Sequence, residues 1–225
     1  MPEKYYQNKL YPFQDKVLKT MDSLDVDFYL TGGTALGRCY LGHRYSDDLD
    51  FFVNNHSEFK SQCNSVLDFL RNTDWNINIS TATESFLRIF LEDDGVSLKI
   101  DFINDISFHY GDFISFPIFK KVDNWRNILS NKLCALTRME PKDIVDIIFI
   151  SGKYSFEWET IIEEAKKKDL WVDPLEICKI LNDFPVKLLI DIKWIDEINI
   201  DEVYNRLKII HDDIFYGRSN SLNLN

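Results

Sequence analysis

The apolar residues of this 225-residue chain change their period near residue 124. Upstream, short runs alternate apolar with polar positions between helical stretches; downstream, apolar residues recur at three- and four-residue spacing almost without a break. A period of two places successive side chains on opposite faces of a strand, whereas three-four spacing lines them along one stripe of a helix. The chain is therefore expected to hold a sheet-containing part of α+β or α/β type over residues 1–120, followed by a C-terminal helical domain over residues 121–225. Hydrophobic residues make up 45% of the chain, enough apolar material for packed cores, which argues against wholesale disorder.

Within the first part, Leu10, Phe13, Val17, Leu18 and Met21 predict an amphipathic helix, and Asp27–Thr31 a strand ended by Gly32-Gly33. Thr34 to Leu41 reads as a short helix, Asp48–Val53 as a strand, and 57–71 as a helix. Three strand-like runs follow, Trp75–Thr81, Phe86–Leu91 and Ser97–Ile103, the last two joined into a hairpin by Asp93-Asp94-Gly95. Beyond Asn124, helices are expected over Trp125–Arg138, Lys142–Ile150 and Phe156–Lys168, with others to about Tyr216; Pro141 suits a first helical turn. Glu163-Glu164 followed by Lys166-Lys167-Lys168 reads as a solvated helix face, and the polar tail Arg218–Asn225 as frayed.

Charge and cysteine content exclude several classes. Twenty-six Lys and Arg against 37 Asp and Glu give a net charge of −11, and no block of fifty residues is net basic, so the basic stripe of a strong nucleic-acid binder is missing. No apolar run approaches the roughly 18 residues of a membrane span, and the opening MPEKYYQNKLYPF has no apolar signal core, which predicts a cytoplasmic protein without a membrane partner. Cys39, Cys63, Cys134 and Cys178 show no CxxC spacing, which predicts reduced thiols and no zinc site. His43, His56, His109 and His211 read as loop or surface histidines.

The segment Tyr29–Phe52, YLTGGTALGRCYLGHRYSDDLDFF, carries the chemistry. A strand ending in Gly32-Gly33 and turning into a helix at Thr34 lets a phosphate approach free backbone N–H groups, though such a turn is also ordinary loop chemistry. Asp48 and Asp50 stand two apart on a strand, on one face, with Leu49 directed into the core. Two adjacent carboxylates repel unless a cation sits with them, and Mg²⁺, which prefers hard oxygen ligands, suits such a pair. Asp101 is a third acid inside an apolar strand, either a further metal ligand or the partner of Lys99 two residues before it. Ser46, two residues before Asp48, either faces a bound triphosphate or caps a turn.

Gly-Gly, a spacer, Asp-x-Asp and a distant Asp together resemble the nucleotidyltransferase superfamily of the polymerase-beta type. More narrowly, GGTAL followed by HRYSDDLDFF resembles the AbiEii/AbiGii abortive-infection toxins, with Arg44, Ser46, Asp48, Leu49, Asp50 and Phe51 matching their Arg-x-Ser-x-Asp-Leu-Asp-Phe string. Leu129–Phe149 resembles the family's helical motif through Lys132, Ala135, Arg138, Lys142, Asp143 and Asp146; Lys142 stands where the family often has Arg, and the planar fork of a guanidinium is lost there.

The resemblance implies a nucleotidyltransferase fold, a mixed sheet flanked by helices, for residues 1–120. It implies an enzyme of the EC 2.7.7 type moving a nucleoside monophosphate from a nucleoside triphosphate to an acceptor hydroxyl. Asp48, Asp50 and Asp101 would be catalytic and hold two Mg²⁺; Gly32, Gly33, Thr34, Arg44, Ser46, Lys132, Asp143 and Asp146 would serve the nucleotide. By helical geometry, Lys132 and Arg138 lie about 240° apart on one helix and are not expected to share a ligand. The resemblance further implies the toxin of a toxin–antitoxin pair, with an antitoxin protein as partner and RNA, tRNA foremost, as acceptor along Lys120, Lys121, Arg126, Lys132 and Arg138. Two other readings stand beside it: modification of a cationic small molecule of aminoglycoside or lincosamide type, which the acidic surface would attract, and a nucleotide-binding or partner-binding module without turnover.

Overall fold

The computed structural model describes residues 2–224. It comprises two compact units, one made of the chain up to Cys39 together with Tyr45–Asn124, the other of Tyr40–Arg44 together with the chain from Trp125 onward.

The first unit opens with α1 (Pro2–Tyr5), a π-helical turn over Tyr6–Leu10 and α2 (Tyr11–Ser23). Its centre is a seven-stranded mixed sheet in the order β3-β4-β5-β2-β1-β7-β6. The strands are β1 (Tyr29–Thr31), β2 (Leu49–Asn54), β3 (Asn76–Ala82), β4 (Phe86–Asp93), β5 (Val96–Asp105), β6 (Ile114–Phe116) and β7 (Phe119–Val122). Strands β2 and β5 run parallel, as do β1 and β7, and the remaining pairs are antiparallel. Turn residues Asp94 and Gly95 both have positive φ, as a two-residue type I′ hairpin requires, so the expected β4–β5 hairpin forms. Strands β6 and β7, three and four residues long around Pro117, went unpredicted because runs that short show no alternation.

Alternation decides the two faces of β2. Leu49, Phe51 and Val53 are buried, while Asp50, Phe52 and Asn54 on the opposite face are only partly covered. Phe51 stacks on Phe102 with centroids 5.5 Å apart and meets Phe119 edge-on, which makes it a hub of the core. Between β1 and β2 lie α3 (Gly32–Ala35) and a π-helical stretch, Leu36–Leu41; α4 (Phe59–Leu70) follows β2 and buries Phe59, Cys63, Val66, Leu67 and Leu70 at helical spacing.

The second unit carries α5 (Trp125–Cys134), α6 (Pro141–Lys153), α7 (Trp158–Lys168), α8 (Pro174–Asp183) and α9 (Ile200–Phe215), with Pro141 at the start of α6 as expected. Two expectations need correction here. On α7, Glu163, Lys166 and Lys167 form the expected solvated face, but Glu164 bonds Arg126 and Lys168 bonds Asn127 Oδ1, Ser130 Oγ and Asn131 Oδ1 at 2.6–2.7 Å, so those two charges dock α7 on α5. The tail is pinned: Asn220 is buried and its amide donates to the carbonyls of Ser151 and Tyr154, which terminate α6, while Ser221 bonds Asp213. Helix ends leave carbonyls without internal partners, and the polar tail supplies their donors.

Asp146, wholly buried on α6, anchors residues 40–44 to this unit. It accepts from His43 Nε2 at 2.8 Å and from Arg44 Nε and Nη2 at 2.7 Å each, and pairs with Lys132 Nζ at 2.7 Å. Burial opposes its ionisation, yet Lys132 and Arg44 hold its carboxyl well below the usual range. His43 thus lies in a loop, as expected, but is buried there rather than exposed at the surface. Burial pushes its imidazole below the usual 6.5, outweighing the pull of Asp146, and Arg44 and Lys132 push the same way; its buried Nδ1 has no hydrogen-bond partner, which suits the neutral ring.

Two outcomes are expected. Phe51→Ala should destabilise the protein by about 3–5 kcal/mol in urea unfolding. Unfolding returns His43 to its usual pKa of 6.5, so its contribution to stability is complete above that pH and is lost as the pH falls below it. His43→Gln, which keeps a donor for Asp146, should flatten the fall in melting temperature between about pH 6.5 and 5.

Candidate active site

Strand register assembles the acids of the first unit. Thr31 pairs across β1–β2 with Asp50, and Asp50 pairs across β2–β5 with Asp101, so the two carboxylates start from adjacent strands on one face. Asp48 immediately precedes β2, opposite Lys99 by extension of the Leu49–Ile100 pairing.

Gly32 sets the approach to Asp50. Its φ is +70°, and a Cβ there would lie 2.5 Å from Asp50 Oδ2, so only glycine admits both the backbone turn and the carboxylate beside it. Gly33 and Thr34 are buried behind it in α3. The Thr34 hydroxyl donates to the backbone carbonyl of Asp48, fixing the start of β2 to the glycine turn. Beneath the glycines, Thr31 Oγ1 donates to the buried Asp123 Oδ2 at 2.6 Å, and His109 Nε2 faces the other oxygen at 3.0 Å.

The chain entering β2 is held from the amino-terminal helices. Tyr6 stacks on Tyr45 with centroids 4.1 Å apart and donates from its hydroxyl to Asp47. Gln14, fully buried, donates to the carbonyls of Ser46 and Asp47 at 3.2 and 3.3 Å, and the Tyr11 hydroxyl bonds the Ser46 backbone. Ser46 is therefore buried with its main chain clamped directly ahead of Asp48.

Each outer acid carries a cation. Asp101 takes a bidentate pair of bonds from Arg88, Nε to Oδ1 and Nη2 to Oδ2, both 2.7 Å, across the β4–β5 pairing that sets the two residues opposite each other. Lys99 Nζ lies 2.6 Å from Asp48 Oδ2. Lys99 is the alternative partner that local spacing offers Asp101; the register delivers Arg88 to Asp101 and Lys99 to Asp48. Arg88 was legible in principle as a charge inside the apolar run Phe86–Leu91, the same signal that marked Asp101. The hydrogen bond to Asp101 raises the Arg88 pKa, against a lowering by burial and reinforced by the charges of Asp101, Asp48 and Asp50, so all three acids act on one guanidinium. Among the described residues no three His, Cys, Asp or Glu side chains stand in a metal-holding arrangement. The oxygen donors of Asp48, Asp50 and Asp101 suit a hard divalent cation, but the outer two are turned to their basic partners.

The second unit gathers Arg44, Lys132, Asp143 and Asp146. Lys132 Nζ bridges Asp143 Oδ1 at 2.6 Å and Asp146 Oδ2 at 2.7 Å, and Arg138 Nη2 bonds Asp143 Oδ2 at 2.7 Å. Lys132 and Arg138 thus share a ligand, contrary to expectation. The reason is local: α5 stops at Cys134, Ala135–Arg138 is a 3-10 turn, and Met139 takes a left-handed φ of +53°, so α-helical azimuths do not extend to Arg138. Of the other basic residues considered for a polynucleotide track, Lys121 bonds the Asp27 carbonyl, Arg126 bonds Glu164, and Lys120 is exposed. Among the described residues no helix is long and apolar enough to cross a membrane.

Comparison with known proteins accords with this architecture. The chain is 28% identical over 174 residues to an uncharacterized protein of Aquifex aeolicus (strain VF5), covering 71% of this chain and 76% of that protein. Its fold is similar to the crystal structure of a Helicobacter pylori protein described as a candidate nucleotidyltransferase, with a TM-score of 0.59, 21% identity and 96% of each chain covered. The JHP933 protein of Helicobacter pylori aligns with a TM-score of 0.57 and 21% identity over 92% of this chain and 90% of that one. Residues 16–205 match the family of the nucleotidyl transferase AbiEii toxin of type IV toxin–antitoxin systems, and the chain belongs to that family.

Proposed function

We propose that this protein transfers a nucleoside monophosphate from a nucleoside triphosphate to a hydroxyl of RNA, tRNA foremost, as the toxin of a toxin–antitoxin pair. The observation that carries the chemistry is the register that sets Asp50 beside Asp101, next to a glycine whose positive φ and close approach to Asp50 Oδ2 strain any substitution. The reading draws on family membership for the class of reaction and for an antitoxin partner.

The acceptor oxygen forms a bond to the α-phosphorus, the α–β bridging bond breaks, pyrophosphate leaves, and the acceptor proton passes to a carboxylate, Asp101 being the base proposed. Such transfers depend on positioning and charge neutralisation rather than on a covalent intermediate. Asp48, Asp50 and Asp101 would hold Mg²⁺, which supplies Lewis-acid charge for the phosphoryl oxygens. The chain's own part is to hold Asp48 through Thr34 and the Gln14 clamp, and to let the Asp50 carboxylate lie against the backbone at Gly32. In the second unit, Lys132 and Arg44 would lend their charge to the nucleotide only by loosening bonds to Asp143 and Asp146, so their proposed role includes the carboxylates that now position them.

The net charge of −11 favours a second acceptor, a cationic small molecule. Incubating the protein with Mg²⁺ and each α-labelled nucleoside triphosphate, with total cellular RNA in one arm and a panel of aminoglycosides and lincosamides in another, separates the two. Label in tRNA supports the first reading; label only in small molecules supports the second; no transfer with any nucleotide leaves a module without turnover. Asp50→Asn should lower transfer by about 100-fold or more. Gly32→Ala, which sets a methyl against the Asp50 carboxylate, should cost about 1 kcal/mol or more of stability from positive φ alone and also abolish transfer, read by calorimetry beside the same assay.

A further inference from the structure

Two basic residues, Arg88 and Lys99, occupy the acids proposed to bind metal, and nothing in the metal-binding reading accounts for them. They belong to the open face of the sheet: Lys99, Asp101 and Ile103 alternate along β5, and Arg88 faces Asp101 from β4. Both are accessible enough to move, with side chains 36% and 26% exposed. Arg88 also lies 5.2 Å from the ring of Phe86, two residues away on the same strand face, which offers its guanidinium a second perch.

Arg88 and Lys99 offset the charges of Asp101 and Asp48, so those two acids are neutralised without metal. A divalent cation added to Asp48 and Asp101 competes with Lys99 and Arg88 for the same oxygens, because the lone pairs that accept N–H bonds are those that ligate metal. A released guanidinium or ammonium beside a metal experiences like-charge repulsion and no longer has a carboxylate partner. A polyphosphate satisfies both, since Arg binds its oxygens bidentately and Lys as a point charge.

We propose that Arg88 and Lys99 are exchange cations: they neutralise Asp101 and Asp48 in the metal-free protein and pass to the phosphates of the nucleoside triphosphate when metal takes the carboxylates. This rests on the reading of Asp48, Asp50 and Asp101 as the metal-binding acids. The arrangement makes metal and nucleotide binding mutually reinforcing, because each removes an obstacle to the other.

The test measures the two ligands separately on purified full-length protein. Mn²⁺ alone is titrated by electron paramagnetic resonance, and the α,β-methylene analogues of ATP, CTP, GTP and UTP are titrated calorimetrically in the presence of Mg²⁺. Arg88→Gln and Lys99→Gln should each bind Mn²⁺ alone about fivefold to tenfold more tightly than the parent. The same variants should bind the preferred analogue about tenfold or more weakly. Arg88→Lys, which keeps charge but loses the fork, should fall between the parent and Arg88→Gln for both ligands. Opposite movement of the two affinities is a result that damage to the fold does not produce. Mn²⁺ affinity that is unchanged or weakened in both Gln variants overturns the proposal, as does unchanged analogue affinity. Absence of Mn²⁺ binding by the parent, or binding insensitive to Asp50→Asn, overturns the metal-site reading beneath it.

Discussion

An ionised carboxylate set into a β-sheet or a helical core survives only where cations or hydrogen-bond donors meet it, and this protein is arranged around that requirement. Desolvating an unpaired charge costs several kcal/mol, more than a typical side-chain hydrogen bond returns. Asp146, Asp143, Asp101 and Asp48 each have a lysine or arginine nitrogen within 2.6–2.7 Å, and those pairings fix which strands and helices lie beside one another.

The two units meet the requirement differently. In the second, Lys132 and Asp146 are both withdrawn from water, Arg44 adds a fork, and His43 completes the set as a neutral donor. Removing one member there strands the others in a medium where an uncompensated charge costs about 3–5 kcal/mol, so the cluster behaves as a fixed structural knot. In the first unit the partners stand a quarter to a third exposed, and water offsets part of any loss. The Lys99–Asp48 pair, open on both sides, contributes little to stability, whereas the buried Asp101 needs a cation or donors in place of Arg88 whenever that guanidinium moves away. The contrast separates a network that specifies structure from one suited to chemistry.

Much of this was legible in the sequence, and the boundary has physical causes. The alternation of Leu49-Asp50-Phe51 places the acid on the open face whatever the rest of the fold, and Gly32-Gly33 marks the turn because positive φ excludes most other residues. Long strands and stripes such as β4, β5 and α4 follow from period alone. Pairings between distant residues do not: which base meets Asp101 depends on the register of β4 against β5, and local spacing favoured Lys99 over Arg88. The burial of His43 in its loop escaped local reading for the same reason, since its partner Asp146 stands 103 residues away. Helical azimuths misled at Arg138 because a 3-10 turn and a left-handed Met139 interrupt the period on which they depend.

The acidity of the chain takes on a different meaning once the partners are known. A net charge of −11 suggests a surface that repels nucleotides, yet the acids nearest the proposed reaction are largely neutralised by Arg88 and Lys99. Under the proposed exchange, a triphosphate arriving without metal would find both cations engaged with Asp101 and Asp48; arriving with metal, it would meet oxygens able to take the ion and cations released by it. Coulomb energies at such separations are about 4 kcal/mol at the effective dielectric of a protein surface, enough to decide between the two arrivals. In that proposal, discrimination for the metal-bound form of the nucleotide would follow from the pairing of Asp101 with Arg88 and of Asp48 with Lys99, with no moving lid or separate recognition loop required.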